Sequence, residues 1–172
     1  GRTLQVAGEL IDLGAKPDLS YRELYERFSV ARVRLAGRLL EHLELGCDGR
    51  LAWLVARRDD FAQTGTSPAD TEDVVNECFR IVGVECAFIA HEQRDGQVKV
   101  SFRSRGELDV AAVAEQFGGG GHRQASGALF AGPFDDGLAR LVFYQLLLIF
   151  VFCSHNQGAN LLVGTSRCST SL

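Results

Sequence analysis

Lys99, Ser101, Arg103 and Arg105 stand at alternate positions, so on an extended strand they share one face, spaced about 7 Å apart. Three cations and a hydroxyl in such a row suit phosphate and ribose oxygens, with arginine able to bind two oxygens at once. A charged edge strand that resists aggregation is the other reading of the same pattern. Some dozen residues downstream comes Gly118-Gly119-Gly120-Gly121-His122-Arg123. Consecutive glycines lose much backbone freedom on ordering. They are used where N–H groups must converge on an anion or where the backbone passes close to another group. A flexible linker is the alternative. The segment after the glycines is helix-compatible, and a helix start there would add the positive end of its dipole. Taken together, strand and loop predict a phosphate-binding cleft in which His122 contacts substrate, serves as an acid or caps the helix.

Val98, Val100, Phe102 and Ser104 fall on the opposite face of that strand, and Asp95-Gly96 marks the turn of a hairpin joining 85–91 to 97–105. Asp109 can cap a helix whose Val110, Val113, Ala114 and Phe117 form one apolar face. That helix runs directly into the glycines, which differs from the strand–glycine–helix order of a dinucleotide fold. Upstream, helices are predicted from Thr3 to Leu13, from Ser20 (a capping box with Glu23) to about Phe28, and from Ser29 to about Leu43. The third has Val33, Ala36, Leu40 and Leu43 as its apolar stripe, with Gly46 as its terminator. Leu51 to Ala56 reads as a buried strand, and Ser67-Pro68 opens another helix carrying Val74, Val75, Cys78 and Phe79. The arginines of the early helices read as a solvated face.

The net charge is −4, so a nucleic-acid partner would need a local basic patch rather than bulk charge. Five cysteines without C-x-x-C spacing argue against a zinc site or a disulfide framework and fit a reducing cytoplasm. Asp59-Asp60 and Asp135-Asp136 are the only adjacent aspartate pairs, and no histidine accompanies either. The run Leu141–Cys153 is interrupted only by Gln145, yet it is short of the ~20 residues of a membrane span. Its first half reads as a core helix starting near Asp135. For the run and the low-charge tail together, a buried helix with a loose tail, an interface helix and sequence foreign to the domain are the three readings.

The strand Val98–Ser104, the helix Asp109–Phe117 and the loop Gly118–His122 resemble the C-terminal substrate-binding domain of DHH-family phosphoesterases. The nearest group in that superfamily is the bifunctional oligoribonuclease/pAp phosphatases, related to exopolyphosphatases. The resemblance covers roughly residues 3–140 and includes Asp70-Thr71-Glu72-x-x-Val75-Asn76. It implies an α/β fold, with a helical connector (1–46) before a small mixed sheet flanked by helices (47–140) and an atypical tail (141–172). It implies that Ser101, Arg103, the amides of Gly118, Gly119, Gly120 and Gly121, and His122 hold a nucleotide or short single-stranded RNA. Lys99, Arg105 and Arg123 are further candidate contacts. Hydrolysis by a manganese-activated water would belong to a separate N-terminal domain bearing D-x-D and Asp-His-His motifs, which this sequence lacks. The chain by itself is therefore expected to bind without cleaving, with no catalytic residue, metal or cofactor of its own, and to be cytoplasmic. An RNA-binding module like that of alanyl-tRNA synthetases, and a polyphosphate or cyclic-dinucleotide substrate, are the alternatives.

Overall fold

The structure, a computed structural model, describes residues 1–142 of the chain. Helices α1 (Arg2–Asp12), α2 (Pro17–Tyr25) and α3 (Val30–Glu41) come first. A six-stranded sheet follows, built from β1 (Glu44–Gly46), β2 (Leu51–Ala56), β3 (Cys86–Glu92), β4 (Val98–Ser104), β5 (Gly120–His122) and β6 (Ala125–Phe130). Its spatial order is β1-β2-β3-β4-β6-β5, with β2 and β3 parallel and every other pair antiparallel. The parallel pair needs a crossover. It is supplied by α4 (Arg58–Thr64), a 3₁₀ turn at Pro68–Thr71, α5 (Val74–Glu77) and a second 3₁₀ turn at Cys78–Arg80. Helix α6 (Val110–Glu115) joins β4 to β5, and a last helix opens at 134. The expected mixed α/β architecture is the one observed.

Two cores lie on the two faces of the sheet. On one, Phe88, Val98, Val100 and Phe102 are fully buried against Val110, Val113 and Ala114 of α6 and against Phe134 and Leu141. On the other, Ala52, Leu54, Ala87 and Ile89 lie beneath Leu35 and Leu39 of α3, Phe61 of α4, and Val74 and Val75. The second core covers β2 and β3 only. Among the described residues no helix packs on the face of β4, β6 and β5 on that side, and the candidate site lies there.

Several boundaries differ from the sequence pattern. Helix α3 buries Leu35 and Leu39, whereas Val33 of the expected stripe is 58% exposed. Helix α2 starts at Pro17, and the Ser20 hydroxyl donates to the Lys16 carbonyl instead of capping a helix start. Strand β1 replaces the end of the third predicted helix, which stops at Glu41 instead of Gly46, and helix α4 occupies a segment with no predicted element. Nearly all of the run Leu141–Cys153, and the tail beyond it, lie outside the described residues. No helix among the described residues is long and apolar enough to cross a membrane.

The cap of α6 follows the sequence: the Asp109 carboxylate accepts from the Ala111 and Ala112 amides at 2.9 and 3.2 Å. Asp109→Ala is expected to cost about 1 kcal/mol in chemical denaturation. An unchanged denaturation midpoint would show that the cap contributes nothing.

Candidate functional site

The strand ladder sets the site's rows. Ala87, Arg103, Ala125 and His122 are successive cross-strand partners, and so are Ile89, Ser101, Gly127 and Gly120. Cross-strand partners share a face. Arg103 and His122 therefore lie on one face with β6 between them, about 10 Å apart by strand spacing. Ser101 looks across two glycines. Lys99 pairs with His91 on one side and Leu129 on the other.

Two depressions flank Lys99 and Ser101. One, of about 550 Å³, is lined by Gln93, Gly118, Gly119, Gly120, Gly127 and Leu129. The other, of about 470 Å³, includes Thr71, Glu72, Asn76, His91 and Arg103 in its lining. Both volumes fall in the range of small-molecule sites.

The glycines divide by role. Gly118, at φ +72°, closes α6 with a Schellman motif: its amide donates to the Glu115 carbonyl and that of Gly119 to the Ala114 carbonyl. A Cβ on Gly119 would stand 2.1 Å from the Gly127 carbonyl oxygen, and one on Gly121 2.6 Å from that of Ala125. A Cβ on Gly120 would meet nothing within 4 Å. Two corrections follow. The amides of Gly118 and Gly119 cap α6 and do not converge on an anion. No helix starts after His122; the chain turns at 123–124 and returns as β6, so no helix dipole serves the site. Gly120 alone lacks a packing reason to be glycine, and its row opens on the cleft beside Ser101.

The cations also divide. Arg105 donates to the Phe79 carbonyl at 3.0 Å and lies over the Phe79 ring, and Arg123 donates to the Glu107 carbonyl at 2.7 Å. Both tie the sheet to loops distant in sequence. Arg103 has one partner, the Phe102 carbonyl at 2.9 Å. Among the described residues, neither Arg103 nor Lys99 is ion-paired with a carboxylate. Two unneutralised cations on an uncovered sheet face are a focus for an anion.

His91 was not singled out in the sequence. It is 5% exposed, and its Nε2 lies 2.8 Å from the Thr71 hydroxyl, which itself donates to the Pro68 carbonyl at 2.7 Å. The ring must then donate from Nε2, leaving Nδ1 as a buried acceptor with no partner. Burial, with help from nearby Lys99, lowers its pKa to about 4 and keeps it neutral. The usable signal was the hairpin register, which sets a histidine opposite a lysine of the basic row.

The paired acids serve structure. Asp60 accepts from the Arg57 amide and pairs with Arg38, and Asp135 pairs with Arg57 at 2.7 Å. Among the described residues no group of three or more His, Cys, Asp or Glu side chains could hold a metal ion. The manganese of the family resemblance has no fitting ligand set in these residues.

A mixed sheet with part of one face bare of described helices, Lys99 and Arg103 outside any ion pair among the described residues, and a glycine trough beside them characterise this α/β domain. The chain belongs to the DHHA1 domain family, whose model matches residues 51–140. It is 30% identical over 127 residues to the bifunctional oligoribonuclease and PAP phosphatase NrnA of Bacillus subtilis, covering 74% of this chain and 39% of that protein. It is 31% identical over 121 residues to the cyclic-di-AMP phosphodiesterase PdeA of Listeria monocytogenes, covering 70% of this chain and 17% of PdeA. The crystal structure of an exopolyphosphatase-related protein from Bacteroides fragilis superposes with a TM-score of 0.79 at 28% identity, over 87% of this chain and 43% of that one. The chain thus spans less than half the length of each of these relatives.

Proposed function

We propose that this domain is the substrate-holding part of a DHH phosphoesterase acting on short oligoribonucleotides or pAp. Lys99, Ser101 and Arg103 take phosphate oxygens, Gly120 lets the ligand approach the backbone, Gly121 holds β5 close to β6 beside it, and His122 closes the row. Gly118 and Gly119 shape the loop. Bond cleavage would fall to a separate metal-carrying domain, where bound manganese would supply the activated water. The observation that carries this reading is the pair of cations without carboxylate partners among the described residues, on a stretch of this sheet face that no described helix covers. Similarity to NrnA favours linear substrates; similarity to PdeA keeps a cyclic dinucleotide as the second reading of the same cleft.

Calorimetric titration of the chain with pAp, a diribonucleotide and cyclic di-AMP tests both. Arg103→Ala and His122→Ala are each expected to weaken binding about tenfold or more, as loss of a charge-assisted hydrogen bond does. Variants binding as tightly as the parent would overturn the site. Manganese-dependent turnover by the chain itself would overturn the placement of the chemistry elsewhere.

A further inference from the structure

The segment Asp70–Asn76, part of the family resemblance, has no role in phosphate binding as described above. Its 3₁₀ turn and α5 place Thr71, Glu72 and Asn76 on the wall of the 470 Å³ cavity that also has Lys99, Ser101 and Arg103 in its lining. The two sides differ in chemistry. On β4 the charged ends are donors only. Opposite them stand a carboxylate, an amide oxygen and, among the lining residues, the neutral His91 ring with its unpartnered buried acceptor.

Three acids occur within four residues here, and two are engaged. Asp70 accepts from the Ser67 amide and hydroxyl at 2.8 and 2.9 Å, which holds its carboxyl below the usual aspartate range. Asp73 pairs with Arg32 at 2.7 Å. Among the described residues Glu72 pairs with no cation, although Lys99 and Arg103 line the same cavity. A free carboxylate repels phosphate and accepts hydroxyl or amino protons. A cavity that attracts an anion on one side and hydrogen-bond donors on the other matches a nucleotide, whose phosphate only accepts while its sugar and base carry donors.

We propose that Glu72 and Asn76 recognise the nucleoside part of the ligand, accepting hydrogen bonds from its hydroxyl or amino groups while β4 holds the phosphate. They are specificity-determining residues of the cleft, and this assignment rests on the function proposed above. His91 lies beneath them and, through Thr71, ties their turn to the sheet.

The test uses the whole chain and four probes: AMP, 2′-deoxy-AMP, ribose 5-phosphate and pyrophosphate. Glu72→Ala and Asn76→Ala are each expected to weaken AMP about fivefold to tenfold, the loss typical of one hydrogen bond to a ligand. Pyrophosphate should bind Asn76→Ala unchanged and Glu72→Ala unchanged or more tightly, because a negative charge has gone. Arg103→Ala should weaken both ligands. Losses shared by ribose 5-phosphate and reduced for 2′-deoxy-AMP place the contact on the sugar; losses confined to the two adenine nucleotides place it on the base. Both patterns support the proposal. Equal effects on AMP and pyrophosphate, or no effect of either variant while Arg103→Ala still weakens both, would overturn the nucleoside wall and leave the phosphate site standing. A parent chain that binds none of the four probes overturns the phosphate site and this inference together.

Discussion

Gly119→Ala is expected to destabilise the domain by about 3 kcal/mol or more, the upper range for overpacking, in urea or thermal denaturation. The added methyl would lie 2.1 Å from the Gly127 carbonyl oxygen and 2.7 Å from the Ala128 Cα. Both are backbone atoms of β6, a strand paired on both sides, so no side-chain rotation relieves the clash. Relief requires Gly119 and the start of β5 to move off β6, which displaces Gly120 and His122 as well. Gly120→Ala provides the contrast one residue away. With nothing within 4 Å of its Cβ, it should leave stability within about 1 kcal/mol of the parent, with any change towards a more stable fold. Equal stabilities for the two variants would refute the division of labour within the glycine run.

That division was not legible in the sequence. Four adjacent glycines look alike, and a nest for an anion accounts for all of them at once. The structure separates them by what each would touch: Gly118 by its left-handed φ, Gly119 and Gly121 by close approach to β6, and Gly120 by open space. A close approach is a tertiary contact, and nothing local encodes it. The missing helix after His122 has the same origin. Arg123-Gln124-Ala125-Ser126 is compatible with a helix, yet Ala125–Phe130 pairs along β4 between Val98 and Arg103, and strand pairing overrides local preference.

Alternation was the better guide. The period of two in Val98–Ser104 assigned both faces of β4 correctly, because one face is buried throughout and a one-residue slip would expose it. It could not show which cations stay free. Arg105 and Arg123 satisfy carbonyls of loops distant in sequence, at Phe79 and Glu107, and only the folded chain brings those acceptors within reach. In α3 the expected stripe holds at Ala36, Leu40 and Leu43, which pack against the core, while Val33 stays exposed and packing on the sheet buries Leu35 and Leu39 in full.

His91 is expected to make the fold pH-dependent with a predictable sign. Its pKa falls from an ordinary 6.5 to about 4 in the folded chain, mainly because burial disfavours the imidazolium and secondarily because Lys99 repels it. Between those values the unfolded chain binds a proton that the folded chain does not, so stability rises with pH across that window. The contribution is complete above about pH 7, declines from about 6.5 and is lost near 4, for a total of roughly 3 kcal/mol. Asp70, held below its usual range by Ser67, adds a loss of the same sign at still lower pH. The Thr71 hydroxyl accepts from Nε2 whether the ring is neutral or charged, so it offers nothing to the added proton, which would sit on Nδ1 with no acceptor to meet. Denaturant midpoints of the parent and His91→Gln, measured from pH 7.5 to 4.5, should diverge, with the slope present in the parent and reduced in the variant. The imidazole resonances give a second readout that does not depend on the variant's stability: His91 should stay neutral through pH 5. A His91 ring that titrates near 6.5, or parallel pH profiles for the two proteins, would refute a neutral buried histidine beneath the cleft.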